Sequence, residues 1–195
     1  MLQMAAGAVD QTRPNVWWVN QRRTFRHSAQ SGFFWAPLRD RRGNTPSHWK
    51  RMEQVLAGDI VLHYNDGYVR AVSHVQAAAV HAPYPYETDP EYGGMQGYLV
   101  RSQYHLLEPP IPRDILAGLK TLPEQDHPFT STGSVKQGYL YRFGLDALSE
   151  LVPRFETNWP SFVRDNVLTT QVTVPRTTIP AYDDSWMRPT ETWRP

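Results

Sequence analysis

The sequence contains no cysteine, very few lysines and no long apolar run. The absence of cysteine excludes disulfides, thiolate zinc sites and cysteine nucleophiles, and it favours a reducing compartment such as the cytoplasm. No stretch of about 18 consecutive apolar residues occurs, so no membrane-spanning segment is predicted. The start of the chain also lacks the basic and apolar regions of a secretory signal. We therefore expect a soluble protein that does not act at a membrane.

Common catalytic signatures are also missing. The sequence has no GxSxG elbow, no Walker A loop, no GxGxxG fingerprint and no HExxH motif. Its lysines are Lys50, Lys120 and Lys136, and none stands two residues after an acid, so the acid–x–lysine element of many metal-dependent nucleases is absent. The histidines show no metal-ligand spacing. We therefore expect a binding module without cofactor or metal, rather than an enzyme.

The chain does have an uneven distribution of charge, although its net charge is only +1. Residues 1–57 are strongly basic, with Asp10, Asp40 and Glu53 as their acids, whereas residues 83–126 are acidic. Such asymmetry can present one attractive face to a polyanion while the total stays near zero. Charge alone fits equally well with a solvated arginine-rich surface that has no partner.

The pattern of elements predicts a mixed α+β fold. NVWWV (15–19) is typical of a buried strand, and the two runs around NDG indicate an antiparallel hairpin over residues 59–80. Two further strands are indicated by GYLVRSQYHLL, which EPPIP should end, and by QGYLYRF. Short helices are predicted in residues 44–56 and in RDILAGL, LDALSELV and NWPSFVRDNVL. Five or six strands without regular βα alternation favour a small mixed β-barrel with short flanking helices.

The composition along the chain also predicts its division into a domain and flanking segments. We expect residues 1–14 to be an extension, residues 15–152 to be one domain, and residues 153–195 to be a helical turn followed by an extended tail. Residues 81–96 are predicted to form a loop that carries Tyr84, Tyr86 and Tyr92.

Aromatic residues stand directly beside arginines in SGFFWAPLRDRRGN (31–44). This adjacency is typical of a base-stacking surface next to phosphate-binding charge. It fits equally well with core aromatics that precede a solvated loop. A second candidate for phosphate contact is GSVKQG (133–138), because its serine, lysine and glutamine are all hydrogen-bond donors.

The segments VWWVNQ, GFFWAP, AGDIVLHYNDGYVRAVSHV, GYLVRSQYHLLEPPI and SVKQGYLYRF, in this order, resemble the EVE domain of the PUA-like superfamily, which is related to the YTH domain. The resemblance covers residues 15–152 and is greatest to the EVE-like modules of HNH-type, modification-dependent restriction endonucleases. It implies a PUA-like barrel that flips 5-methylcytosine or 5-hydroxymethylcytosine out of double-stranded DNA into an aromatic pocket. It also implies that cutting belongs to an HNH-type nuclease domain or subunit outside this chain.

The resemblance implies site residues as well. Trp35 corresponds to one pocket wall, the loop tyrosines are candidates for the second wall, and Asn20 and Gln21 are placed to bind the base edge. The pocket residues expected on this basis are Trp35, Asn20, Gln21, Tyr92, Tyr86 and Trp18. The residues expected to contact phosphate or DNA are Arg22, Arg23, Arg39, Arg41, Arg42, Ser134, Lys136 and Gln137.

Two other classes of function remain open from the sequence. The chain could read N6-methyladenine or modified RNA in the manner of YTH domains, although the predicted loop contains no tryptophan. It could also be a protein-interaction module whose tyrosine-rich loop binds a peptide.

Overall fold

The computed structural model describes residues 13–86, 92–116, 118–119 and 127–168. Within them, a curled half-barrel sheet is surrounded by a few short helices. The predicted α+β class with a small barrel-like sheet is therefore confirmed. The predicted extension up to residue 12 and the predicted tail beyond residue 168 lie outside the described residues.

Seven strands form the sheet. They are β1 (Val16–Asn20), β2 (Phe33–Pro37), β3 (Ile60–Asn65), β4 (Tyr68–Val75), β5 (Val80–Pro83), β6 (Gln96–Pro112) and β7 (Leu140–Arg142). Six of them follow the order β2-β6-β4-β3-β1-β7, and β5 pairs separately with β6. All neighbouring pairs are antiparallel except β1 and β3, which run parallel with Asn20 opposite Tyr64. Because parallel strands end at the same edge, the residues that follow β1 and β3 lie side by side.

Strand β1 is buried on both faces, as NVWWV predicts. Trp18 faces a core that it shares with Leu62 of β3 and with the C-terminal helices. Trp17 faces a second core that contains Phe34 of β2 and Met52. Successive side chains of a strand point to opposite sides, so the two tryptophans anchor two different cores.

The predicted hairpin is present, and its turn has the backbone that NDG favours. Asp66 and Gly67 have φ angles of 47° and 82°, the left-handed region that a two-residue hairpin turn requires. EPPIP (108–112), in contrast, does not stop strand β6 at Leu107, because the strand runs through this motif to Pro112. The prolines are tolerated because the pairing of β4 with β6 shifts register between Val69 and Ala71, which leaves Leu107 to Pro110 out of the paired register.

The helices are short, and two of them differ from expectation. The predicted helix over residues 44–56 is only one α-helical turn, followed by a 3-10 turn at Arg51–Gln54. The helix after β1 has no apolar periodicity and was not predicted; it ends at Gly32, which has a φ of 70°. The α-helices are α1 (Phe25–Ser31), α2 (Ser47–Lys50), α3 (Arg113–Leu116), α4 (Leu145–Leu151) and α5 (Ser161–Leu168).

Packing continues beyond the predicted domain end at residue 152. Trp159 and Val163, which lie just before and within α5, are buried in the same core as Trp18. No helix in the described part of the chain has both the length and the apolar character needed to cross a membrane.

Candidate nucleic-acid interface

A cleft of about 650 Å³ opens at the edge where β1 and β3 end. The turn after β1, the β3–β4 turn and the loop before β7 line it, together with Arg113 at the start of α3. Hydrogen bonds hold these segments together: Gln21 N donates to Tyr64 O at 2.8 Å, and Arg113 N donates to Gly67 O at 2.9 Å. Half of the site residues expected from the sequence lie here, namely Asn20, Gln21, Arg22, Arg23, Ser134, Lys136 and Gln137.

The cleft is basic. Arg22, Arg23, Arg113 and Lys136 line it, whereas Asp66 is the acid in its lining. Arg22 and Arg23 are exposed, and neither guanidinium makes a hydrogen bond or ion pair within the residues that the structure describes. Exposed cations that no acid neutralises can bind an anionic ligand without first breaking an internal ion pair.

An aromatic pair supports the cleft from below. Tyr64 lines the cleft, and its ring stacks on Trp18 with the centroids 5.0 Å apart and the planes at 27°. Trp18 itself is completely buried and also contacts Phe129 and Phe143. The structure thus places Trp18 behind the surface of the cleft, where it supports Tyr64 and forms no exposed wall.

Asn20 makes three side-chain hydrogen bonds within the protein. Its Oδ1 accepts from Trp18 Nε1 at 2.7 Å, and its Nδ2 donates to the carbonyl oxygens of Lys136, at 2.8 Å, and Gly138. These bonds fix the loop that carries Lys136 against the end of β1. The contact of Asn20 with a base edge stays a prediction; because both Nδ2 hydrogens are engaged, it would use the second lone pair of Oδ1.

Asn65 has a similar function on the other side of the cleft and was not predicted from the sequence. Its Nδ2 donates to the carbonyl oxygens of Gln21, at 2.6 Å, and Arg22, at 2.7 Å, so it orients the turn that carries both arginines. Tyr64, Asp66 and Arg113 were also missed. The parallel pairing of β1 with β3 brings Tyr64 and Asp66 to the cleft, and the pairing of Tyr68 with Pro112 brings Arg113 there. No local pattern reveals these pairings.

Gln21 lines the cleft but turns its side chain into the protein. Its Oε1 lies 2.8 Å from His63 Nδ1, and its Nε2 donates to the Tyr104 hydroxyl at 3.3 Å. His63 completes the network through Nε2, which lies 2.7 Å from Ser73 Oγ. Gln21, His63 and Ser73 are all buried. A neutral, fully paired network therefore lies between the cleft and the interior.

This network makes stability depend on pH. Burial lowers the pKa of His63 well below its usual 6.5, so His63 stays neutral in the folded protein while the unfolded chain takes up a proton. We therefore expect the free energy of unfolding to fall as pH decreases below about 6.5, by up to about 1.4 kcal/mol per pH unit from this group.

Urea denaturation at pH 7.5, 6.5 and 5.5 measures this effect, with His63→Gln as the comparison. The variant should lose stability less steeply with falling pH than the natural protein. His48, whose pKa is lowered by burial and by Arg51, contributes equally to both proteins and cancels. Equal slopes for the two proteins would show that His63 is not the group responsible.

The predicted pocket wall Trp35 lies in a separate cluster of rings. Its centroid is 5.1 Å from that of Tyr84 and 6.4 Å from that of Tyr92, and Tyr84 is 5.3 Å from Tyr86. We call Phe33, Trp35, Tyr84, Tyr86 and Tyr92 the aromatic cluster. Trp35 is only 5% exposed, and its Nε1 donates to Ala82 O at 3.1 Å. The structure thus brings the predicted aromatic residues Trp35, Tyr86 and Tyr92 together, but with Trp35 covered.

The aromatic cluster adjoins the cleft through a short chain of polar contacts. Tyr104, which bonds to Gln21, also donates from its hydroxyl to Phe33 O at 3.2 Å. The Tyr86 hydroxyl lies 2.7 Å from Ser28 Oγ. Burial is the main cause that raises the pKa of Tyr86 to about 12, and hydrogen bonds from Ser28 and from Thr24, the residue after Arg23, partly oppose it. The cleft and the cluster are therefore connected through Tyr104 and through the residues that follow the cleft-lining turn.

The predicted arginine loop lies elsewhere, at a second depression of about 390 Å³. Asp40 organises this loop by accepting from Arg42 N at 2.9 Å and from Asn44 N at 2.8 Å, and these bonds lower the pKa of Asp40. Arg41 and Arg42 line the depression together with Tyr92, whereas the Arg39 guanidinium bonds to a carbonyl within the loop. The predicted phosphate contacts are thus divided between two depressions, except for Arg39, which lines neither, and Tyr92 connects the second depression with the aromatic cluster.

Among the described residues, no three His, Asp or Glu side chains come together as ligands for a metal ion. What the interface offers is cations, amide and hydroxyl groups, and aromatic rings.

No protein-family model and no curated protein sequence matches this chain. Solved structures of limited similarity include an NMR structure from Rhodopseudomonas palustris, with 14% identity, a TM-score of 0.42 and coverage of 71% of this chain and 90% of that chain. A crystal structure from Pseudomonas putida has 10% identity, a TM-score of 0.47 and coverage of 70% and 97%. A hypothetical protein from Leishmania major has 12% identity, a TM-score of 0.41 and coverage of 81% and 98%. These similarities assign neither a family nor a function.

Proposed function

We propose that this chain is a reader of modified DNA. The cleft holds the backbone of a duplex, and the aromatic cluster receives a 5-methylcytosine or 5-hydroxymethylcytosine that has swung out of the helix. The observation that carries this proposal is the link, through Gln21 and Tyr104, between a basic cleft and a cluster of buried and half-buried aromatic rings. A nucleotide joins a charged phosphate to an aromatic base, so a reader needs these two environments side by side.

The cleft supplies affinity that does not depend on sequence. Arg22, Arg23 and Lys136 lie on two segments whose backbones are held by hydrogen bonds at the edge of the cleft, so all three side chains start from the same small region. Cations that bind phosphates release counterions, and this release dominates the affinity of proteins for duplex DNA. Tyr64 adds an aromatic surface at the floor of the cleft.

The aromatic cluster supplies discrimination. Extruding a base costs a few kcal/mol of lost stacking, and each aromatic stacking contact returns roughly 1–3 kcal/mol. Tyr84 covers Trp35 in this structure, so entry of a base requires the Tyr84 ring to move aside. That rearrangement adds to the cost of binding, and a base that forms too few contacts inside the cluster will not offset it.

The identity of the base rests on the resemblance of the sequence to modules of modification-dependent restriction endonucleases. Burying a methyl group contributes only about 0.8 kcal/mol, so discrimination against cytosine also needs close packing around the substituent. The densely packed rings of the aromatic cluster are suited to this. We propose that DNA cleavage belongs to an HNH-type nuclease domain or subunit outside this chain, and Mg²⁺-dependent cleavage by the purified chain would contradict that.

A competition experiment tests the class of ligand. A labelled duplex with one 5-methylcytosine is bound to the chain and displaced by unlabelled duplex DNA or by single-stranded RNA of the same sequence and modification, at several salt concentrations. We expect the duplex to compete better and the affinity to fall steeply with salt. Stronger competition by RNA would favour an RNA reader. Binding without salt dependence would favour a peptide-interaction module.

A further inference from the structure

The ring of Tyr64 lies at the floor of the cleft and packs on the core behind it. Trp18 stacks against this ring with the centroids 5.0 Å apart and the planes at 27°, so one face of the ring is covered. Tyr64 is nevertheless only half-buried, and it lines the cleft. The exposed part of its ring therefore belongs to the parts that Trp18 does not cover.

The backbone holds this ring in place. Tyr64 is the partner of Asn20 in the parallel pairing of β1 with β3, and its carbonyl oxygen accepts from Gln21 N at 2.8 Å. A ring that is packed on Trp18 and tied to a neighbouring strand loses little freedom when a ligand stacks on it. The stacking surface at the floor of the cleft is therefore preorganised.

Cations line the same cleft as this ring. Arg22 and Arg23 lie on the turn after β1, and Lys136 lies on the loop before β7. The cleft volume of about 650 Å³ is within the range of about 300–1,000 Å³ that is typical of sites for small organic ligands. The cleft thus has the size for a whole nucleotide, with an aromatic surface for its base and cations for its phosphate.

Tyr64 is separate from the aromatic cluster. Among the described residues, its ring contacts that of Trp18 and no ring of the cluster. The link between the cleft and the cluster passes through the side chains of Gln21 and Tyr104, and Gln21 is buried. A base that stacks on Tyr64 is therefore a different base from the one that enters the cluster.

We propose that the cleft takes a second unpaired nucleotide next to the extruded one, with its base stacked on Tyr64 and its phosphate bound by Arg22 and Arg23. This inference rests on the proposed function and adds to it a stacking residue that the resemblance does not indicate. Every base has an aromatic face, so Tyr64 adds affinity for an unpaired nucleotide without selecting its identity. A free nucleotide offers the same chemistry as a nucleotide within a strand, so both are compared as ligands.

Four duplexes test the assignment: each carries cytosine or 5-methylcytosine at one position, and the neighbouring nucleotide is either paired or mismatched. Unpairing this neighbour in an intact duplex costs stacking energy, much of which a mismatch has already lost. We expect the mismatch to raise affinity about tenfold for both the cytosine and the 5-methylcytosine duplex. Tyr64→Leu should remove this gain, and Tyr64→Phe, which keeps the ring, should retain it. A gain that survives in Tyr64→Leu would overturn the assignment.

Tyr68→Leu is the matched control. Tyr68 belongs to the same hairpin but lies outside the cleft, and its ring centroid is 5.1 Å from Cζ of Arg70. Its replacement should leave the gain from the mismatch unchanged, and an equal loss in Tyr68→Leu and Tyr64→Leu would contradict a specific role of the Tyr64 ring. Deoxycytidine monophosphate is the probe for a free nucleotide. If it displaces the mismatched duplex at a lower concentration than a single-stranded oligonucleotide does, the assignment to a strand is wrong.

A crosslinking measurement on the natural protein decides the assignment if Tyr64→Leu does not fold. 5-Iodouracil at the mismatched position reacts on irradiation with aromatic side chains that contact it, and mass spectrometry locates the product. We expect the crosslink at Tyr64, and a crosslink to a ring of the aromatic cluster instead would overturn the assignment. Equal affinity for cytosine and 5-methylcytosine duplexes, with the gain from the mismatch intact, would overturn the proposed function and leave the Tyr64 site. A preference for 5-methylcytosine without any gain from the mismatch would do the reverse.

Discussion

Simultaneous replacement of Arg22, Arg23 and Lys136 by alanine is expected to weaken binding to duplex DNA about a hundredfold at 0.15 M salt. All three residues line the cleft, and the segments that carry them are held by Asn20 and Asn65. If each cation neutralises one phosphate, the slope of log affinity against log salt should fall by about 2.7. The loss should be nearly equal for modified and unmodified duplexes, because phosphate contacts carry no information on the base.

The control is a variant with the same loss of charge at exposed positions outside both depressions. Arg13, Arg101 and Arg164 fulfil this condition. Their replacement by alanine should leave the salt slope almost unchanged. An equal loss of affinity in the two triple variants would show that total charge, and not the cleft, governs binding.

Trp35→Ala is expected to reduce the free energy of unfolding by about 3–5 kcal/mol and to abolish discrimination between duplexes. The indole is almost completely buried and bonds to Ala82 O. It also lies directly over Gly97, where an added Cβ would be 2.1 Å from Trp35 Cε2. Such a large buried ring cannot be removed without leaving a cavity, so this variant alone cannot separate reading from folding.

Trp35→Phe separates the two effects because it retains an aromatic ring. We expect it to stay folded in urea denaturation with a smaller loss of stability, and to lose part of the preference for the modified duplex through its smaller stacking surface. Binding to the unmodified duplex should change little. A Trp35→Phe variant that keeps the full preference would show that Trp35 supports the fold and does not contact the base.

Local patterns predicted those parts of the fold that depend on neighbours in sequence. The NDG turn specifies its hairpin because the turn itself needs residues that tolerate positive φ, as Asp66 and Gly67 show. The end of β6 was predicted wrongly, because proline is unfavourable in a strand unless the partner strand shifts register, which only tertiary pairing decides. Helix α1 was missed because packing, rather than an apolar stripe, holds it.

For the site, too, local sequence patterns predicted some residues, whereas tertiary pairing decides the position of others. Arg22, Arg23 and Lys136 were predicted to contact DNA, and the structure brings them to one cleft. Tyr64 was not predicted, because its position at the cleft depends on the parallel pairing of β1 with β3. No pattern along the sequence carries that information.

The proposed function requires that the chain distinguish a modified cytosine from the ordinary base. It is tested most directly by measuring affinity for otherwise identical duplexes that contain cytosine, 5-methylcytosine, 5-hydroxymethylcytosine, adenine or N6-methyladenine at one position. We expect a duplex with 5-methylcytosine or 5-hydroxymethylcytosine to bind at least about tenfold more tightly than the cytosine duplex, which corresponds to about 1.4 kcal/mol. Equal affinity for all five duplexes, or the tightest binding to N6-methyladenine, would contradict it.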